Sequence, residues 1–436
     1  MKWQSSALLL CVFSLFFSLF YGNIVFAASL TVHNVDTGLS YASIQEAIDA
    51  VETLDGHTIF VEAGVYDENI VVDKSLSLIG EDKETTIIDG GGRGTVVRVA
   101  ADDTVITGFI VRNSSETAHV FERMGVFVCN SSNVLLVDCE SYDNFIGVCL
   151  LSSHNSIISG NTILNNEHHG ICIENSFNTS VLSNDIRVYP ALLGICIFNS
   201  SGKILENNIT AAFIGLYVKS SFDQHIQKNS VMYCATGIEL YLTNDSEIRY
   251  NDISSNFWDG MRLWNSSSNH IIDNDITGNA RGMHFINSSG NIIHRNNFIE
   301  NTKQMTSINL TNMWDNGYPF GGNYWSDYEG ADLYSGAYQN VTGSDGVGDT
   351  PYIIDENNTD HYPLIKPYTP IPADLNCDDK VDTRDVATAA RAFGSYPRHP
   401  RWNSDADINR DRNVDMRDIA TVAKSFGKTW RPTPNT

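Results

Sequence analysis

Two stretches near the carboxy terminus set oxygen-bearing side chains at identical offsets within twelve residues. In the first they are Asp374, Asn376, Asp378, Asp382 and Asp385, at positions 1, 3, 5, 9 and 12; in the second, Asp407, Asn409, Asp411, Asp415 and Asp418. A hard cation such as Ca²⁺ takes about 6–8 oxygen ligands, and this spacing wraps a loop around one ion, with position 7 adding a backbone carbonyl. Those carbonyls belong to Lys380 and Asn413. The expected chemistry is calcium binding, one ion per loop, in a segment poorly ordered without metal because its carboxylates repel one another. Position 6 turns through a left-handed conformation that normally takes Gly, whereas this chain has Asp379 and Arg412. Asp tolerates that region better than Arg, so the second loop should be the more strained.

Each loop runs into a short apolar-periodic helix ending in Phe-Gly, Val386 to Gly394 and Ile419 to Gly427, with no full entering helix before it. An acidic solvated tail would lack such helices. The duplicated loop-helix pattern resembles type I dockerin modules from Asp374 to Gly427. The resemblance implies a cohesin-like domain on another protein as partner, and Asp rather than Glu at position 12. It assigns partner choice to loop positions 10 and 11, here Thr383 and Arg384, then Met416 and Arg417.

At the other end, Lys2, an apolar run from Ala7 to Phe20 and Val25-Phe26-Ala27 read as a secretory signal over 1–27, cleaved after Ala27. An uncleaved anchor is the alternative, but Tyr21-Gly22-Asn23 interrupts the apolar stretch. The expected location is secreted, extracellular or cell surface, with no lipid-bilayer contact beyond the signal peptide. A net charge of -24 opposes nucleic acid and anionic membranes, both of which need a basic patch. Seven cysteines follow the signal without paired spacing, so no disulfide framework is indicated. Asn-x-Ser/Thr sequons recur from Asn113 to Asn357, either as glycan sites or as by-products of an Asn-rich repeat.

That repeat positions everything between. Gly125, Gly147, Gly170, Gly194, Gly215, Gly237, Gly260 and Gly282 each precede an apolar-x-apolar run, and Asn161, Asn184, Asn207, Asn229, Asn251, Asn274 and Asn296 form a second ladder. A fixed period of this size means a solenoid, and period-two alternation in short runs excludes helical repeats. Each period is expected to be one coil of a parallel β-helix, with Ile171 over Ile195 inside and Asn bonded to Asn at one corner. Ser43-Ile44-Gln45-Glu46 is a capping box that should open a helix through about Glu52 and cover one end. Strands are expected at His57 to Glu62, Asn69 to Val72, Ser75 to Ile79 and Thr86 to Ile88, and aromatic, turn-rich segments should close the other end. The predicted organisation is a β-helix with both caps over 28–365, a Pro-rich linker at 366–373 and the calcium module at 374–430.

The string SIQEAIDAV, then GHTIFVEAGVYDENIVVDKSLSLIGE, the Asn-Gly coils, GGNYWSDY and DGVGDTPYIID are similar to the NosD-like right-handed β-helix family. The resemblance implies an all-β right-handed parallel β-helix. It leaves three functions open: polysaccharide or glycan binding, a carbohydrate-active glycoside hydrolase or polysaccharide lyase, and periplasmic copper handling of the NosD type.

The outward columns carry the candidate chemistry. The position two after each Gly reads Phe127, Cys149, Cys172, Cys196, Tyr217, Glu239, Arg262 and His284, and the next outward column includes Tyr241 and Trp264. Glycoside hydrolysis needs two carboxyl groups about 5–9.5 Å apart, and neither column holds an Asp pair. Candidate catalytic residues are Glu239, Asp259, Arg262 and His284. Tyr217, Tyr241, Trp258 and Trp264 flank them and suit stacking on sugar rings, so the patch reads first as a saccharide platform. Cys149, Cys172 and Cys196 stack on three consecutive coils near His168 and His169. They form either a hydrophobic column or a soft-metal site for copper.

Overall fold

Each repeat folds as three short strands because its apolar residues alternate in brief runs broken by turn residues, as in Ile157–Ser159, Thr162–Leu164 and His169–Glu174. Equivalent strands of successive repeats pair in parallel, building sheets of 13, 12 and 11 strands. We call these the first, second and third sheets. The computed structural model describes residues 32–114, 123–188, 192–307, 310–396 and 401–434; the expected signal peptide lies outside them. The chain is a parallel β-solenoid followed by a small helical region, and Ile171 pairs with Ile195 inside the core as expected.

Two ladders explain the repeat. Asn229 donates from its backbone and side-chain nitrogens to Asn251 Oδ1 at 3.0 and 2.9 Å, and Asn251 Nδ2 donates to the Ile226 carbonyl at 2.8 Å. This pattern runs to Asn296, which hands on to Asn323 of the cap. The Gly ladder is steric: a Cβ on Gly237 would lie 2.5 Å from the Gly260 oxygen and 2.8 Å from Ile253. Two further ladders, Asn256-Asn279-Asn301 and Asn269-Asn291-Asn312, serve other corners.

The solenoid is longer than the repeat suggested. Thr58–Val61, Gly64–Asp67 and Ile70–Val72 form its first coil, and Lys303–Ser307 is the last strand of the third sheet. Those early coils carry apolar triplets without the Gly and Asn spacing. Helix α1 (Ile44–Asp49) closes this end with Ile44, Ala47 and Ile48 in the core. It stops short of the expected Glu52 because its last carbonyls are taken by side chains: Thr53 Oγ1 on Ala47, and Lys74 Nζ on Ile48 and Ala50. At the far end Trp325 stacks between Phe298 and Tyr352, with ring centroids 4.2 and 4.3 Å apart.

The helical region holds α2 (Thr383–Ala392) and α3 (Met416–Ser425). Both begin three residues before the expected Val386 and Ile419, because Asp382 and Asp415 act as N-caps in capping boxes completed by Asp385 and Asp418. This region sits on the corner between the first and second sheets. There the residue before each ladder Asn adopts φ of 56 to 60° at Lys228, Tyr250, Asp273 and Arg295. Lys228 pairs with Asp405 and Arg295 with Asp379, while Arg295 also lies over the rings of Tyr368 and Trp430. Tyr368, within the segment 366–373, is buried and exchanges hydrogen bonds with Asn297 at 2.7 and 3.0 Å.

Asp360 in the far cap accepts from Asn323 N, Trp325 Nε1 and Tyr362 N, yet burial pushes its carboxyl from 3.8 up to about 7. A raised carboxyl stabilises the fold in its neutral form. The contribution is whole below the unfolded value and is lost as pH rises through about 7. The thermal midpoint should therefore fall between pH 5 and 8, and Asp360→Asn should flatten that fall in a melting series.

Candidate functional site: a charged and aromatic face, and paired acidic loops

The third sheet carries six-residue strands whose second residue is the ladder Gly. Its pairing skips that Gly, so that Thr236 pairs with Asp259 and Asp259 with Arg281, while Glu239 pairs with Arg262 and Arg262 with His284. The kink turns the residue before Gly and the residue two after it to the same outer face. Alternation alone would send the first of these inward. Asp259, Arg281 and Lys303 thus form a second outer column beside Glu239, Arg262 and His284.

The four candidate catalytic residues come together here. Arg262 Nε donates to Asp259 Oδ2 at 2.8 Å and Nη1 to Glu239 Oε2 at 3.1 Å. Arg281 Nε donates to Asp259 Oδ1 at 2.6 Å, and His284 Nδ1 stands 3.7 Å from Asp259 Oδ2. Burial raises the Glu239 carboxyl; the Arg262 charge opposes the rise and the Asp259 charge adds to it. Burial alone would raise Asp259 too, but His284, Arg262 and Arg281 hold it down at about 2. Sequence reasoning missed Arg281 and Lys303, whose signal is their position directly before a Gly or its equivalent.

Aromatic side chains frame the cluster. Trp258 is 50% and Trp264 40% exposed; Trp258 meets Phe213 edge-on and Trp264 meets Tyr241, with centroids 5.3 and 5.4 Å apart. Tyr217 is half-buried against Glu239, and burial first and the Glu239 charge second push its hydroxyl up to about 12. A cleft of about 450 Å³ is lined by Trp258, Asp259, Arg262, Ala280, Arg281 and Lys303. A second, of about 390 Å³, lies on the same face between Glu174, Phe198 and Lys219.

The cysteine column lies outside the core but is not exposed. Cys149, Cys172 and Cys196 are buried among Met124, Phe127, Ile146 and Leu193. Burial and contact with Cys172 push the Cys196 thiol up. His168 stacks on Phe145, and burial lowers His169 to about 4. Their burial matches the packing of small apolar residues, while contact with Cys149 and Cys196 draws the Cys172 thiol down.

In the acidic loops, Asp374 accepts from the backbone of Asp378 and Asp379 at 3.1 and 2.7 Å, and Asp407 from Asp411 and Arg412 at 3.1 and 2.8 Å. Asp379 and Arg412 adopt φ of 67 and 66°, the left-handed turn expected at position 6. Asp385 and Asp418 are fully buried and bind backbone N–H groups of their own loops. Thr383, Arg384, Met416 and Arg417 are exposed.

A family model described as periplasmic copper-binding protein (NosD) matches residues 52–233 and 192–330. The chain belongs to the NosD family. A dockerin type I domain model matches residues 372–427, so this NosD-family solenoid ends in a type I dockerin domain. A cell surface glycoprotein of Methanothermus fervidus is 29% identical over 269 residues, which is 57% of this chain and 44% of that protein. The chain therefore spans less than half the length of this relative. Among solved structures, the mannuronan C-5 epimerase A-module of Azotobacter vinelandii has a TM-score of 0.51 at 16% identity, covering 62% of this chain and 92% of that one. The catalytic domain of a GH87 α-1,3-glucanase has a TM-score of 0.41 at 10% identity, covering 61% and 64%. The NosD-family solenoid is thus similar in fold to a carbohydrate-active enzyme.

A type I dockerin domain typically binds calcium and implies a cohesin-type partner. Among the described residues no three His, Cys, Asp or Glu side chains are grouped to hold a metal, so the fit of the loops rests on a mixed set of carboxylate, amide and carbonyl oxygens. Hard oxygen donors suit calcium, and crowding marks the place for a cation. Burial, then the charges of Asp385 and Asp378, push Asp374 up to about 6. On the solenoid, Asp259→Asn should remove the charge that holds two arginines and cost about 2 kcal/mol in urea unfolding.

Proposed function

We propose that this protein is an extracellular or cell-surface glycan-binding component that its dockerin domain docks onto a cohesin-type partner. The carrying observation is the outer face of the third sheet, where exposed Trp258 and Trp264 flank carboxylates already committed to arginine. Aromatic faces stack on the apolar faces of sugar rings, while charged and polar groups at their edges fix orientation. The cell-surface relative and the dockerin match support the location. In affinity electrophoresis against a panel of polysaccharides, at least one should retard the full chain, and Trp258→Ala with Trp264→Ala should abolish the retardation. Failure of every polysaccharide would sink the reading.

The dockerin half of the proposal places one calcium ion in each loop. Asp374, Asn376, Asp378, Asp382 and Asp385 with the Lys380 carbonyl hold the first; Asp407, Asn409, Asp411, Asp415 and Asp418 with the Asn413 carbonyl hold the second. Thr383, Arg384, Met416 and Arg417 face the cohesin-type partner. Calorimetric titration of the chelated chain should show two ions bound, and one for Asp374→Ala.

A carbohydrate-active enzyme is the second reading, and one observation favours it: neighbouring carboxyls Glu239 and Asp259 are shifted in opposite directions, as an acid and its charged partner require. Release of reducing ends or unsaturated uronates, lost in Glu239→Gln, would establish it.

A further inference from the structure

We infer that the saccharide taken by this face is acidic, its negative group seated in the cleft between Trp258 and Lys303. This rests on the glycan-binding reading and names the class of glycan. The chain as a whole carries a net charge of -24, yet the walls of this cleft hold Arg262, Arg281 and Lys303 against the single carboxylate of Asp259. Asp259 cannot satisfy all three cations. Its two oxygens are taken by Arg262 and Arg281, and the nearby Glu239 pairs with Arg262 from the far side. Lys303 is exposed at the end of the column and makes no ion pair among the described residues. Arg281 uses Nε and Nη2 on Asp259, which leaves Nη1 for another acceptor.

Asp259 acts here as an orienting group. By gripping two guanidinium groups from adjacent coils, about 4.8 Å apart, it fixes both side chains in the lining of the cleft, where lone arginines would wander. Beside them Trp258, braced edge-on by Phe213, offers a ring face at the same mouth. A sugar ring on Trp258 with a carboxylate or sulfate at its edge meets both features at once. On the same face Lys219 lies over the Tyr241 ring, with 5.6 Å between Nζ and the centroid, repeating the pairing of cation with aromatic ring nearer the amino-terminal coils. The acidity of the rest of the surface does not oppose this contact, because exposed charges beyond about 8 Å are screened at physiological ionic strength.

The test uses the full chain and three soluble probes: polygalacturonate, the same polymer fully methyl-esterified, and a sulfated galactan. Either anionic polymer should bind about tenfold more tightly than the ester, the worth of one charge-assisted contact, and Lys303→Glu should erase that preference. Whichever anion binds more tightly identifies the group. Equal binding of acid and ester, lost with Trp258→Ala, would overturn the inference while keeping the platform. Absence of binding to any polymer, neutral ones included, would overturn the platform itself. Lys303 is exposed and terminal, so its replacement leaves the solenoid folded, which circular dichroism checks.

Discussion

A buried backbone amide at a solenoid corner has no water to bond, and everything else in this fold depends on how that amide is satisfied. The answer, from Asn161 onward, is an Asn whose side-chain oxygen accepts the N–H and the side-chain amide of the Asn one coil before it. Because each coil completes its neighbour, the coils cannot drift in register. Leaving one such donor unpaired costs about 1–3 kcal/mol, more than a surface contact returns. Identical register from coil to coil is what turns a sequence position into a column on the surface.

Columns make chemistry cheap to vary. The interior positions are held to apolar residues, mostly Ile, Val, Leu and Met, by packing, but the outer positions of the third sheet pass from buried cysteines through aromatics to a charged network. The Gly kink adds a second outer column and sets Asp259 beside Arg262, three residues on in the same strand. A carboxylate with no exposed surface survives there only because two arginines from adjacent coils share it. Ionised Asp259 and raised Glu239 are therefore products of the same packing that fixes the coils.

Much of this was legible in the chain. Gly and Asn spacing revealed the coils, and oxygen offsets the loops, because each reports a demand of the backbone itself. The stacking of Glu239, Arg262 and His284 followed from correct register, whereas Asp259 reaches them only because of the kink at Gly260. Arg281 and Lys303 were hidden because strict alternation assigns the residue before Gly to the interior, and only the kink reverses it. The strands of the early coils were expected, but their place in the coil ladder was not, because apolar triplets alone do not mark a corner. Helix starts at Thr383 and Met416 were misplaced because Asp382 and Asp415, read from spacing alone as loop oxygens, also cap the helices. The seating of the helical region on the solenoid left no trace in local pattern, since Arg295 and Asp379 are 84 residues apart.

That seating turns the molecule into a bracket. The corner that holds the dockerin domain lies between the first and second sheets, and in a three-sided coil that corner is opposite the third sheet. The aromatic face and the anchoring module therefore look in opposite directions. The helical region is joined to the solenoid through Arg295, Asp379 and Trp430 as well as through the Pro-rich segment. The angle between that face and the helical region is set by packing rather than by the slack of a tether.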